Sequence, residues 1–106
     1  GLKRGEVWWV RLPPPSGRRP ALLLSRDSAL RVRQFVTVAP VTTRVRGIPT
    51  EVPLGPQDGL PHACVANLDN ISTIDKNTLE ERITALKAEE LNAVEVAIHS
   101  ALGLQT

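Results

Sequence analysis

The hydrophobic pattern changes period once, near Glu89, and this change limits the fold more than any other feature. Up to that point the apolar and β-branched residues come in short runs cut by proline, glycine and charge. Beyond it, Leu91, Val94, Ile98 and Leu102 recur at helical spacing, with Ala97 and Ala101 beside them. The pattern predicts several short strands and then one helix over 89–102. Glu89 and Glu90 suit the positive end of its dipole, and Gly103 marks its stop. The usual Ser/Thr cap is missing. Lys87-Ala88 stands in its place, an omission expected to cost about 1 kcal/mol.

Residues 6–12 alternate as a strand, with Trp8, Val10 and Leu12 on one face and Val7, Trp9 and Arg11 on the other. One tryptophan can fill a small core. The other either faces a partner or is covered by its own chain. Pro13-Pro14-Pro15-Ser16-Gly17 breaks this strand. Further strands are predicted at 21–25, 34–42 (Pro40 marking an edge or bulge), 50–54, 63–68, 70–74 and 82–86. The pair 63–68 and 70–74 also reads as one strand bent near Asp69. Residues 26–33 read as a loop with one turn of helix, and 44–47 and 55–59 as turns. A helix with a single apolar stripe must lie on a sheet. The expected fold is therefore mainly β (α+β): a small SH3-like barrel with a C-terminal helix, as one domain over 1–106.

Several function classes fall away. At 42% hydrophobic and 23% charged residues the chain is not a disordered polymer. One cysteine permits no intrachain disulfide and no cysteine zinc cage. Within Ala63-Cys64-Val65-Ala66 it reads as a small buried hydrophobe. No apolar run is long enough for a membrane span. The start does not read as a signal peptide, Gly1 reads as a processed end, and a reducing cytoplasm is the expected compartment. His62 and His99 lack metal-ligand spacing, and no phosphate-cradling glycine loop or nucleophile triad is legible. Neither metal nor cofactor is expected.

Charge is split along the chain. Residues 1–53 carry ten Lys/Arg, all arginine but Lys3, against Glu6, Asp27 and Glu51, a net +7. Residues 54–106 carry Lys76, Arg82 and Lys87 against eight carboxylates, a net −5. Arginine suits bidentate phosphate contact, so a polyanion is a candidate partner for the first half. Arg18-Arg19-Pro20, Thr42-Thr43-Arg44 and Asn67, Asp69 and Asn70 fall at predicted strand ends, where a small barrel would gather them at one rim. Guanidinium, hydroxyl and carboxamide groups form a phosphate-binding set by type. By spacing alone the same residues serve equally as loop ends capping their own backbone.

Five segments in order resemble the MazF/PemK family of toxin endoribonucleases from type II toxin–antitoxin systems. They are Arg4-Gly5-Glu6-Val7-Trp8, Arg19-Pro20-Ala21-Leu22-Leu23-Leu24-Ser25, Val38-Ala39-Pro40-Val41-Thr42-Thr43, Pro49-Thr50-Glu51-Val52-Pro53-Leu54, and residues 65–76, Val-Ala-Asn-Leu-Asp-Asn-Ile-Ser-Thr-Ile-Asp-Lys. The closing run from Arg82-Ile83 to Leu104 fits the family's last strand and helix. The resemblance implies a homodimeric enzyme that cuts single-stranded RNA at short motifs without a metal, by attack of the 2′-oxygen. Messenger RNA would be the substrate, with transfer and ribosomal RNA as extensions, and a cognate antitoxin would neutralise it. Arg19, Thr42 and Asp69 match catalytic positions. Arg19 would stabilise the phosphorane-like charge and protonate the leaving oxygen, Thr42 would hold a phosphate oxygen or the 2′-hydroxyl, and Asp69 is a candidate base. Arg18, Thr43, Arg44, Arg46, Asn67 and Asn70 would contact RNA.

The chain departs from the family in three places. Asn67 stands where an arginine is usual, Asn70 stands for a glutamine, and the first loop lacks the Gly-Ser-Glu-Gln segment. Recognition should shift toward Arg18, Arg44 and Arg46. The competing readings are a non-catalytic interaction module and a gyrase-targeting toxin of the same fold. A degenerate toxin that keeps only antitoxin binding is a third.

Overall fold

A computed structural model describes residues 1–104 and contains seven strands joined in one antiparallel sheet. The strands are β1 (Glu6–Leu12), β2 (Gly17–Leu23), β3 (Phe35–Thr42), β4 (Glu51–Leu54), β5 (Cys64–Asn67), β6 (Ser72–Asp75) and β7 (Leu79–Ala85). Two helices accompany them, α1 (Asp27–Val32) and α2 (Ala88–Leu102). The spatial order is β4-β5-β3-β2-β1-β7, and β6 also pairs with β3.

Two local devices curl this sheet into a half-barrel. The first is in the β1–β7 ladder, which slips register between Val7 and Trp8 and again between Trp9 and Val10. Each slip adds twist where both tryptophans sit. The second is the bend between β5 and β6. Both run antiparallel to β3, β5 on Val41–Thr42 and β6 on Phe35–Val38, with a 3₁₀ turn at Leu68–Asn70 between them. They are two arms of one bent strand. Asn67 makes the bend: its Oδ1 accepts the Asp69 N–H at 2.9 Å, while Leu68 is buried beneath the turn.

The curled sheet is covered on both faces. On one, Val7, Leu22, Ala39, Val41, Val52 and Ala66 pack with Val94 and Ala97 of α2. On the other, Val10, Ala21, Leu23, Val36 and Val38 pack with Leu30 of α1, and Trp8 closes the edge. Double coverage explains why Ala21-Leu22-Leu23 is apolar without alternation. Gly5 joins the first core to the sheet. Its φ of +93° suits glycine, and a Cβ there would lie 2.6 Å from the Leu91 Cδ2. Its N–H donates to the Leu23 carbonyl and its carbonyl accepts the Leu86 N–H, both at 2.9 Å.

Element boundaries differ from the sequence reading where polar residues enter strands. β2 begins at Gly17, not Ala21, because Arg18 and Arg19 pair with Arg11 and Val10 of β1. β7 begins at Leu79, earlier than expected, and residues 27–32 form a complete short helix anchored by buried Leu30. In α2 the packed stripe is Leu91, Val94, Ala97, Ile98 and Ala101, while Leu102 is 54% exposed. Its missing cap is partly replaced by Glu90, whose Oε1 accepts the Lys87 N–H at 2.9 Å. The helix closes in a Schellman turn, with Leu104 N–H on the His99 carbonyl and Gly103 N–H on the Ser100 carbonyl.

Candidate active site

The site opens where one edge of β3 loses its neighbour while the other edge stays paired. Its ladder with β2 ends at Ala21↔Pro40, and the next residues, Val41 and Thr42, pair with Ala66 and Val65 of β5. Gly17–Pro20 of β2 stay on β1 and so diverge from β3. A groove of about 710 Å³ lies between the two banks. Extending the broken register would set Arg19 opposite Thr42. Both line the groove, as do Arg18, Thr43, Arg44 and Asn70.

Arg19 is exposed, and its Nε donates to the Ser16 carbonyl at 2.9 Å. That bond spends the inner nitrogen and leaves both terminal nitrogens free, the fork that matches two phosphate oxygens. The short first loop supplies the anchor. Residues 13–16 close a tight turn through Ser16 N–H on the Pro13 carbonyl, which holds the Ser16 carbonyl beside β2. Across the groove, the Thr42 Oγ1 accepts the Arg44 N–H at 3.1 Å. The hydroxyl thus does cap its own backbone. Its proton remains available to a ligand, because accepting uses only a lone pair.

Alternation along β2 sends Arg18 to the other side of the strand from Arg19. There its guanidinium carbon lies 4.4 Å from the centroid of the Trp9 ring. Its Nε donates to Glu80 Oε1 at 2.9 Å, and the other oxygen of Glu80 accepts Arg11 Nε at 2.7 Å. Hydrogen bonds from Arg11 and then Arg18 hold the Glu80 carboxyl below the usual carboxylate range. Trp9 is half-buried, covered by this arginine and open to the groove.

Three residues chosen from sequence stand elsewhere. Asn67 is buried and its carboxamide oxygen is committed to the bend. Asp69 is exposed beside Asn70, outside the groove lining, and its Oδ2 accepts the Thr50 hydroxyl at 2.6 Å. Arg46 is exposed on the β3–β4 loop, also outside the lining. Its N–H and that of Gly47 donate to Glu51 Oε1 at 3.0 and 2.9 Å. Glu51 is buried, and its Oε2 has no partner. Glu51 and Glu80 escaped the sequence reading because each acts on another residue rather than on a ligand. Cys64 is buried in the first core, and burial pushes its thiol up, away from the nucleophilic thiolate. His62 lines the groove but stands alone. Among the described residues no group of three or more His, Cys, Asp or Glu could hold a metal ion, and no helix is long and apolar enough to cross a membrane.

Residues 3–102 match the family described as PemK-like, MazF-like toxin of type II toxin-antitoxin system. The chain belongs to this family. It is 37% identical over 100 residues to a probable endoribonuclease MazF5 of Mycobacterium tuberculosis, covering 93% of this chain and 91% of that one. It is 33% identical over 113 residues to an endoribonuclease MazF of Staphylococcus saprophyticus, covering 99% and 94%. Its backbone superposes on the Mycobacterium tuberculosis toxin MazF-mt6 with a TM-score of 0.88 at 36% identity, covering 95% of this chain and 99% of that one. A mycobacterial endoribonuclease in complex with its cognate antitoxin gives 0.87 at 31% identity, covering 100% and 99%. The resemblance read from five short segments is thus one of family, and it spans the sheet, the groove and α2.

Proposed function

We propose that this protein is an endoribonuclease toxin that cleaves single-stranded RNA at the groove between β2 and β3, without a metal. The observation that carries the reading is the pair of polar groups on the two banks. Arg19 presents a fork whose inner nitrogen is already held, and Thr42 presents a hydroxyl proton whose oxygen is already placed. Attack of the ribose 2′-oxygen on the adjacent phosphorus concentrates negative charge on the non-bridging oxygens. Preorganised donors lower that barrier because they need no reorientation as the charge develops. The 2′-oxygen bonds to phosphorus as its proton passes to water, the P–O5′ bond breaks to leave a 2′,3′-cyclic phosphate, and the 5′-oxygen takes a proton from Arg19, which recovers it from solvent. Arg19 offers its terminal nitrogens to the phosphate and to the departing oxygen, and Thr42 steadies a phosphate oxygen or the 2′-hydroxyl.

Thr43, Arg44, Asn70 and Arg18 extend the contact along the RNA, and Arg46 adds positive charge from outside the groove. Asp69 and Asn67 act indirectly, by shaping the bend and the start of β4. A gyrase-binding or purely adhesive surface has no use for an anchored guanidinium fork and a strand-end hydroxyl in one groove. The enzyme works in the cytoplasm as a homodimer, and a cognate antitoxin with an acidic segment restrains it at the basic groove. Light scattering should give twice the chain mass at micromolar concentration.

The deciding experiment is incubation with a long single-stranded RNA in excess EDTA. Cleavage should persist and leave 5′-hydroxyl ends. Loss of cleavage on chelation, restored by Mg²⁺, would overturn the metal-free reading.

A further inference from the structure

The groove has a second compartment that phosphate chemistry does not need. Arg19 faces one side of β2. Arg18 and Pro20 face the other, next to Trp9, since Trp9↔Pro20 and Arg11↔Arg18 are cross-strand pairs. On that side the lining is apolar: Trp9, Pro20, Val41, Leu60, Pro61 and Ile83. Arg18, His62 and Thr43 are the polar groups that interrupt it. A mainly apolar wall with few polar groups does not suit a phosphate, which is better served by Arg19 and Thr42 on the opposite side.

Arg18 is held there from three directions. Its guanidinium lies over the indole at 4.4 Å. Its Nε donates to Glu80 at 2.9 Å, and a terminal nitrogen reaches Glu81 at 3.4 Å. Glu80 is itself fixed by Arg11 at 2.7 Å. These partners take the edge of the guanidinium and one of its faces. The other face is left open, and Arg18 remains 40% exposed. A delocalised planar cation backed by an aromatic ring is a stacking surface for a second π-system. Its charge is largely compensated at the edge by two carboxylates, which weakens it as a phosphate anchor and leaves it suited to a neutral plane.

We infer that Trp9 and Arg18 form a nucleobase platform: an unpaired base of the RNA stacks on the exposed face of Arg18, on the side of β2 that carries Pro20. This rests on the nuclease reading and assigns to Arg18 a different job from Arg19. Arg19 holds the backbone at the scissile phosphate, and Arg18 holds the base of a neighbouring nucleotide. Glu80 and Arg11 are positioning residues that hold the guanidinium over the ring. Stacking is tolerant of base identity, so the platform provides affinity and register, and purines should outbind pyrimidines through their larger face.

The test needs no cleavage. The probes are two 2′-O-methyl oligonucleotides of equal length, one of mixed sequence and one abasic throughout, compared by anisotropy at the same salt. Wild type should bind the mixed-sequence strand about 10-fold more tightly than the abasic one, the amount one stacked base contributes. Arg18→Lys keeps the charge and loses the plane, so its ratio should fall toward one, with affinity for the abasic strand unchanged. In a Trp8→Phe background, where Trp9 alone fluoresces, the mixed-sequence strand should quench emission and the abasic strand should not. An unchanged ratio in Arg18→Lys, or equal binding of both strands by wild type, would overturn the platform. Neither result bears on EDTA-resistant cleavage, so failure of the platform and failure of the nuclease reading are separable.

Discussion

Replacing Arg19 separates catalysis from folding more cleanly than any other change at the site. Arg19 is exposed, and its hydrogen bond within the fold runs from Nε to the Ser16 carbonyl. A net hydrogen bond contributes about 0.5–1.5 kcal/mol, and an exposed one belongs at the low end. Arg19→Ala should therefore lower the melting temperature by a few degrees at most, since about 1 kcal/mol corresponds to roughly 4–8 °C in a domain this small. The catalytic loss should be much larger. Removing one preorganised donor from a developing oxyanion costs about 10²–10³ in kcat, or roughly 2.7–4 kcal/mol. Arg19→Lys retains a positive charge but has no Nε to anchor and no fork, so it should fall between the two. Thr42→Val should lose activity in the same range, and Thr42→Ser should retain most of it. If both groups act on one phosphate, the double variant should lose less than the product of the single losses. The assay is initial-rate cleavage of a fluorogenic RNA, run beside thermal unfolding of each variant. Wild-type kcat in folded Arg19→Ala would refute the reasoning. So would an activity loss that follows unfolding step for step, since it would make Arg19 a structural residue.

Glu51→Ala should cost about 1–3 kcal/mol of stability by leaving the Arg46 and Gly47 N–H groups unpaired, and should weaken RNA binding by freeing the loop that carries Arg44. Glu51→Gln keeps one carbonyl oxygen and should be nearly neutral in a urea titration; equal losses in both variants would show that the loop is held otherwise. Glu80 governs a pH window. Its folded pKa is lowered by Arg11 and Arg18, so its contribution is complete above the unfolded carboxylate range and is lost as pH falls through the folded value. Wild type should outlast Glu80→Gln in thermal melts at neutral pH and lose that lead in acid; a lead that persists at the lowest pH would refute the pairing.

What the sequence disclosed and what it hid follow from the range of the forces involved. Period and punctuation are local, so the strands at 6–12 and 34–42, the bend near Asp69 and the terminal helix could all be read. The polar half of β2 could not. Gly-Arg-Arg-Pro has no strand pattern of its own, and it is extended because β1 offers it a ladder. The same non-local pairing creates the site. Arg19 and Thr42 were legible as residue types at strand ends, but their place on the two banks of one groove depends on the β2–β3 ladder ending at Pro40 while β5 keeps the far edge of β3. The first loop lacks the family's Gly-Ser-Glu-Gln segment. In the fold, the short Pro-rich turn that replaces it brings the Ser16 carbonyl to Arg19. A shortened loop therefore does not by itself argue for a degenerate toxin, because the turn that remains anchors the Arg19 guanidinium. Asn67 points the same way. A short carboxamide in place of arginine looks like lost RNA contact, yet it is the group that bends β5 into β6 and leaves Asn70 on the groove wall. Both departures exchange reach for rigidity, which favours an enzyme that selects its RNA through fixed donors rather than through a closing loop.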